Sequence, residues 1–65
     1  MKIVYQGRAA ETSAVTVAGF LAERQIPVQA VVLELNGEIC GGPEAETRPL
    51  CEGDVLDAFR IVPGG

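Results

Sequence analysis

Apolar and polar residues alternate at both ends of the chain and in its middle, and once, near residue 20, the apolar spacing turns helical. The stretch from Lys2 to Gln6 places Ile3 and Tyr5 on one face of a short strand. Gly7 supplies a turn, and Arg8 to Ala14 is the candidate return strand, although its Ala and Ser content carries little β-propensity. Thr16 has the chemistry of a helix N-cap, and Val17, Phe20 and Leu21 behind it fall at i, i+3 and i+4, one buried stripe. Gly19 inside this helix implies a close approach by a neighbour. Pro27 predicts an end at Gln25 or Ile26, for a helix of about nine or ten residues, because the residue before proline avoids the α region. Val28 to Leu35 is the best strand pattern: Val31, Leu33 and Leu35 share one face, and Val32 on the other implies partial cover there. Asn36-Gly37 is a type I′ hairpin signal, after which Glu38-Ile39-Cys40 returns as a short strand. Pro43 to Pro49 reads as an irregular acidic excursion, Leu50 re-enters the core, and Glu52-Gly53-Asp54 turns into a last strand from Val55 to Val62.

The element order is therefore strand, strand, helix, strand, short strand, loop, strand. The economical solution is an α+β domain in which one main helix packs on one face of a mixed sheet of four or five strands. The first and last strands are expected side by side at its centre. Residues 1–62 form the domain, and Pro63-Gly64-Gly65 (63–65) leaves it as a flexible tail. A 65-residue chain has room for one domain and little apolar surface to spare. A deep substrate cavity, and with it a self-sufficient enzyme, is not expected.

Composition removes several function classes. Nine acidic against five basic residues give a net charge of −4, without any Lys/Arg cluster. Nucleic acid and anionic membrane surfaces call for the opposite sign. No apolar run approaches membrane-spanning length, and Met1-Lys2 leads directly into a strand pattern, so a soluble, cytoplasmic protein is expected. The chain has no histidine, which takes away the commonest general base and metal ligand. Cys40 and Cys51, without imidazole partners, leave a zinc set half empty and are expected as buried or semi-buried reduced thiols. No bound metal or cofactor is expected.

One constellation carries chemistry: Gly64-Gly65 directly after a strand. Two residues without side chains can thread a narrow channel and present the α-carboxylate of Gly65 to another protein's nucleotide. Nothing else in the chain pairs a nucleophile with a base, so the chemistry must be lent by a partner. Taken together, Val31-Val32-Leu33-Glu34-Leu35-Asn36-Gly37-Glu38-Ile39, Leu50, Glu52-Gly53-Asp54-Val55 and Gly64-Gly65 resemble the ThiS/MoaD group of ubiquitin-like sulfur carriers, closest to the short thiamine-biosynthesis type. The resemblance covers essentially the whole chain. It implies a β-grasp (ubiquitin-like) fold, which agrees with the element order above. It also implies a mechanism: an E1-like adenylyltransferase (ThiF/MoeB-like) uses ATP to adenylate the Gly65 carboxylate. A sulfur donor, a cysteine desulfurase or a rhodanese-like protein, then displaces AMP and leaves a thiocarboxylate. In thiamine synthesis that sulfur goes to a thiazole synthase-like acceptor. Pro63 stands where thiamine-type proteins often carry another glycine, and with Gly64 it would form the part of the tail inside the partner's channel.

Phe59 and Ile61 alternate with Ala58 and Val62, so either both faces of the last strand are buried or Phe59 and Ile61 form a docking patch beside the tail, flanked by Arg60. Glu44, Glu46, Glu52, Asp54 and Asp57 form a solvated acidic surface that could also steer a basic partner. Alternative readings of the same ending are a carrier for molybdopterin, cysteine or methionine synthesis, a protein modifier joined through Gly65 to lysines, and a β-grasp interaction module without a reactive terminus.

Overall fold

The structure is a computed structural model and describes residues 1–61; the expected strand end at Val62 and the tail Pro63-Gly64-Gly65 lie outside the described residues. Five strands, β1 (Lys2–Tyr5), β2 (Arg8–Glu11), β3 (Val31–Leu35), β4 (Glu38–Cys40) and β5 (Val55–Arg60), form one sheet in the order β2-β1-β5-β3-β4. β1 and β5 run parallel at its centre, as expected, and every other pair is antiparallel. Helix α1 (Val17–Glu23) covers one face. This is the β-grasp arrangement.

Both hairpins rest on positive-φ turns. Asn36 and Gly37 have φ of 54° and 86°, and Gln6 and Gly7 repeat the pattern at 52° and 80°. Ile3, Val17, Phe20, Leu21, Leu33, Leu35 and Leu56 are fully buried between sheet and helix, with Cys40, Ala45 and Leu50 in the same cluster. The predicted N-cap is present: the Gly19 N–H donates to Thr16 Oγ1 at 3.1 Å. The close approach at Gly19 comes from the capping loop, since a Cβ there would meet Thr16 Oγ1 at 3.2 Å and the Ala14 Cβ at 3.3 Å.

Four expectations need correction. Helix α1 has seven residues and stops well before Pro27. Gln25 turns left-handed at φ 59°, the Ile26 N–H donates to Leu21 O at 2.9 Å and the Gln25 N–H to Ala22 O at 3.1 Å, a Schellman ending. The proline therefore follows the termination and does not cause it. Val28 to Ala30 is a 3-10 turn and not the start of β3; it carries Val28 across the helix side, where Val28 Cγ1 lies 3.5 Å from a Cβ built on Gly42. The supposed irregular stretch after Cys40 contains a second helix, α2 (Gly42–Thr47). Pro43 sits in its first turn, where a missing N–H costs nothing, and Ala45 is buried in the core. β2 ends at Glu11, because the Thr12 hydroxyl accepts the Ala14 N–H at 2.9 Å and turns the chain away.

The left-handed Gln25 gives a stability prediction. Gln25→Gly removes the Cβ penalty at this position and is expected to stabilise the domain by about 1 kcal/mol, read as a higher urea midpoint at unchanged m-value. A lower midpoint would mean that α1 does not end in this conformation. Among the described residues, no helix is long and apolar enough to cross a membrane.

Candidate functional site

The site begins with the strand that leads to the C-terminus. β5 is held on both edges: β1 pairs with its first residues, Val4 with Val55 and Tyr5 with Leu56, while β3 follows it from Leu56 to Arg60. Pairing continues one step further, with the Ile61 N–H donating to Ala30 O at 3.0 Å. On the β1 side the ladder would stop at Tyr5, because Gln6 turns left-handed into the hairpin. The Gln6 side chain replaces it. Its Nε2 donates to Ala58 O at 2.8 Å and its Oε1 accepts the Ala58 N–H at 2.9 Å, so a carboxamide stands in for one more residue of strand. β5 is thereby bonded to its neighbours on the β1 side as far as Ala58 and on the β3 side as far as Ile61. The start of β5 is tied in the same way: Val55 N–H donates to Asn36 Oδ1 at 2.9 Å and Cys51 N–H to Asp54 Oδ2 at 2.8 Å.

Strand alternation sorts the predicted docking residues. Leu56 and Ala58 face the helix and are buried, so Phe59 and Ile61 fall on the open face of the sheet, 52% and 51% exposed. Arg60 alternates onto the other face, opposite Val31, and is not brought into the same patch. The open face adds two residues that the sequence reading did not select: Val32, directly opposite Phe59 and 39% exposed, and Ile39 on the neighbouring strand, 67% exposed. In so small a domain, these apolar side chains left in solvent stand out from the otherwise buried set. Parity along β3 already assigned Val32 to this face; Ile39 needed the β3–β4 register, which the Asn36-Gly37 turn determines.

The cysteines lie elsewhere. Cys40 is buried on the helix side, and burial, reinforced by the Glu44 carboxylate, pushes its thiol up, which keeps it protonated. Cys51 is exposed, contrary to the expected burial, because it lies in the turn before β5 and not in an element. Both are free thiols. The Glu23 carboxyl is held below its ordinary range, chiefly by the Thr12 hydroxyl and then by Ser13, and it ties the end of α1 to the loop after β2. Among the described residues, no group of three or more His, Cys, Asp or Glu side chains converges to hold a metal ion. Two shallow hollows, of about 300 and 320 Å³, open at the β1–β2 hairpin beside Arg24 and between Val28 and Pro43; neither lies at the last strand.

Comparison with known proteins agrees with this architecture. The chain is similar to the crystal structure of thiamine biosynthesis protein ThiS from Geobacter metallireducens, at 20% identity over the whole of both chains and a TM-score of 0.85. It is also similar to the solution structure of a thiamine biosynthesis protein from Geobacter metallireducens, at 20% identity over all of this chain and 88% of that one, with a TM-score of 0.78. At that identity the likeness speaks for the fold. No curated protein matches significantly. The family model that matches is the ThiS family, over residues 3–65, and with that span nearly the whole chain is accounted for: the protein belongs to the ThiS family.

Proposed function

We propose that the chain is a sulfur carrier protein whose reactive group is the carboxylate of Gly65. The observation that supports this most is the ThiS family match, which runs from residue 3 through residue 65 and so includes Gly64-Gly65. The domain, residues 1–62, is a scaffold, and residues 63–65 are the working end. A carboxylate oxygen of Gly65 bonds to the α-phosphorus of ATP on an E1-like adenylyltransferase, and pyrophosphate leaves. The outer sulfur of a donor protein's persulfide then adds at the carbonyl carbon and AMP departs; a second thiol cleaves the acyl disulfide so formed, ending in a disulfide with the donor cysteine, and the freed thiocarboxylate carries the sulfur to an acceptor synthase. Thiazole formation for thiamine is the destination we favour, since the two solved structures described above are of thiamine biosynthesis proteins.

The chain acts here as co-substrate and not as enzyme. Burial pushes the Cys40 thiol up and keeps it protonated, which leaves the chemistry to the partner enzymes. What the fold contributes is a firmly held last strand: β5 is clamped by β1, β3 and the Gln6 carboxamide and carries Phe59 and Ile61 on its open face. An aromatic anchor of this kind supplies much of the binding energy at an interface.

The test is pyrophosphate release by the adenylyltransferase in the presence of ATP and this chain. Release that depends on the chain is expected. Phe59→Ala should weaken the enzyme–carrier complex by about 1–3 kcal/mol with an unchanged melting temperature, since its side chain is half exposed. Pyrophosphate release that is the same without the chain would overturn the reading.

A further inference from the structure

The two hairpins meet β5 in the same way, and one of the two does so against its backbone preference. Asn36 and Gln6 each open a positive-φ turn, at φ 54° and 52°. Each gives its backbone N–H to β5, Asn36 to Val55 O at 2.7 Å and Gln6 to Leu56 O at 3.2 Å. Each then adds its side-chain amide. Asn36 Oδ1 accepts the Val55 N–H at 2.9 Å, and the Gln6 carboxamide takes both the N–H and the C=O of Ala58, at 2.9 and 2.8 Å. The strand is tied at its first residue and again at Ala58, close to its end.

Asparagine suits a left-handed backbone, and glutamine has no such preference. Gln6 therefore holds a conformation that Asn or Gly would adopt with less strain. What Gln offers instead is one more methylene of reach. Along the β1 edge, Asp54 O accepts the Val4 N–H, Leu56 O accepts the Gln6 N–H, and both Ala58 groups meet the carboxamide. A longer β1 would produce the same series at every second residue. The side chain thus continues a strand that the backbone has already left. Strain kept at a residue whose side chain reaches a distant strand points beyond the turn to that strand.

We propose that Gln6 is a positioning residue for adenylation of the Gly65 carboxylate. The inference rests on the carrier reading. β5 is the last strand among the described residues, and Gly65 follows Ala58 by seven residues. With the clamp, β5 is bonded on both edges as far as Ala58. Without it, the residues after Leu56 are held by β3 alone and gain the freedom of an edge strand. Chain connectivity passes that freedom to the carboxylate and lowers the share of bound complexes in which it meets the α-phosphorus of ATP. Phe59 pairs with Val32 on the other edge, so the docking patch keeps its place.

The experiment is steady-state pyrophosphate release by the adenylyltransferase, with the full-length chain as the varied substrate, for the unaltered chain, Gln6→Met and Gln6→Asn. Methionine matches the length of glutamine and makes neither bond. Asparagine keeps the carboxamide and favours the left-handed turn but falls one methylene short, which separates the clamp from the turn. Both variants are expected to lower kcat about 5- to 20-fold with KM within about twofold of the unaltered chain. A variant that was merely less folded would act as a diluted substrate and raise KM at constant kcat. Amide hydrogen exchange on the free chains reports the clamp itself. The Ala58 amide should lose its protection in both variants, while that of Ile61, bonded to Ala30 O, keeps it. Unchanged kcat in either variant, a rise in KM alone, or an Ala58 amide that exchanges rapidly in the unaltered chain would overturn the proposal. An unaltered chain that supports no pyrophosphate release removes the carrier reading and this inference together, whereas equal release by all three chains removes the inference alone.

Discussion

Phe20→Ala leaves the domain largely unfolded at physiological temperature. Phe20 is fully buried at the centre of α1 and meets the Tyr5 ring edge to face, 5.0 Å between centroids and 65° between planes. The Arg24 guanidinium lies over both rings, 5.0 Å from Phe20 and 5.2 Å from Tyr5, and seals the contact from solvent. Removing the ring costs about 3–5 kcal/mol in transfer and cavity terms. A domain of this length has a total stability of roughly 3–10 kcal/mol at 0.05–0.15 kcal/mol per residue. The loss therefore consumes most of the margin, and the urea midpoint should collapse toward zero. Val15→Ala, at an exposed apolar position just before the helix, is the control and should stay within about 0.5 kcal/mol. A Phe20→Ala protein that kept a cooperative transition with a loss under about 1.5 kcal/mol would show that α1 does not seat its aromatic ring in the core.

Much of this fold could be read from residues whose signals are local. Asn36-Gly37 announced its hairpin because left-handed backbone at both positions needs those side chains. Thr16, Val17, Phe20 and Leu21 announced α1 by a cap and a stripe. Local signals failed where two rules competed. Pro43 to Pro49 reads as irregular because proline ends elements, yet proline is also welcome in a first turn, and that is where Pro43 stands in α2. Pro27 predicts the end of α1, but Gln25 ends it by turning left-handed, which the sequence Gln-Ile-Pro does not announce. The site divided along the same line. Exposure of Phe59 and Ile61 was one of two open readings, decided by which face α1 covers. The separation of Arg60 from them follows from strand parity alone and was available in the sequence. By contrast, the Gln6–Ala58 clamp and the Val32–Phe59 pairing each join residues far apart in the chain. No local pattern encodes either; they exist only once β5 has found its place between β1 and β3.

Removing Gly65 is expected to abolish sulfur loading while leaving the domain folded. Among the described residues, the hydrophobic core runs from Ile3 to Ala58. A glycine has no side chain to add to it, so circular dichroism and the melting temperature of the shortened chain should not change. What the deletion subtracts is reach. One residue spans about 3.3–3.6 Å, far more than the sub-ångström tolerance within which a carboxylate must meet the α-phosphorus of a bound nucleotide. A misplacement of about 1 Å can already cost on the order of 100-fold in rate, so the shortened chain should yield no detectable product.

Intact-mass spectrometry after incubation with the adenylyltransferase, ATP and a sulfur donor tests the carrier reading most directly. The account predicts that the full chain gains the mass difference of one oxygen replaced by sulfur, localised to the C-terminal residue, and that the chain lacking Gly65 gains nothing. Sulfur appearing on the truncated chain, or on Cys40 or Cys51 of the full one with the C-terminal carboxylate unchanged, would contradict it.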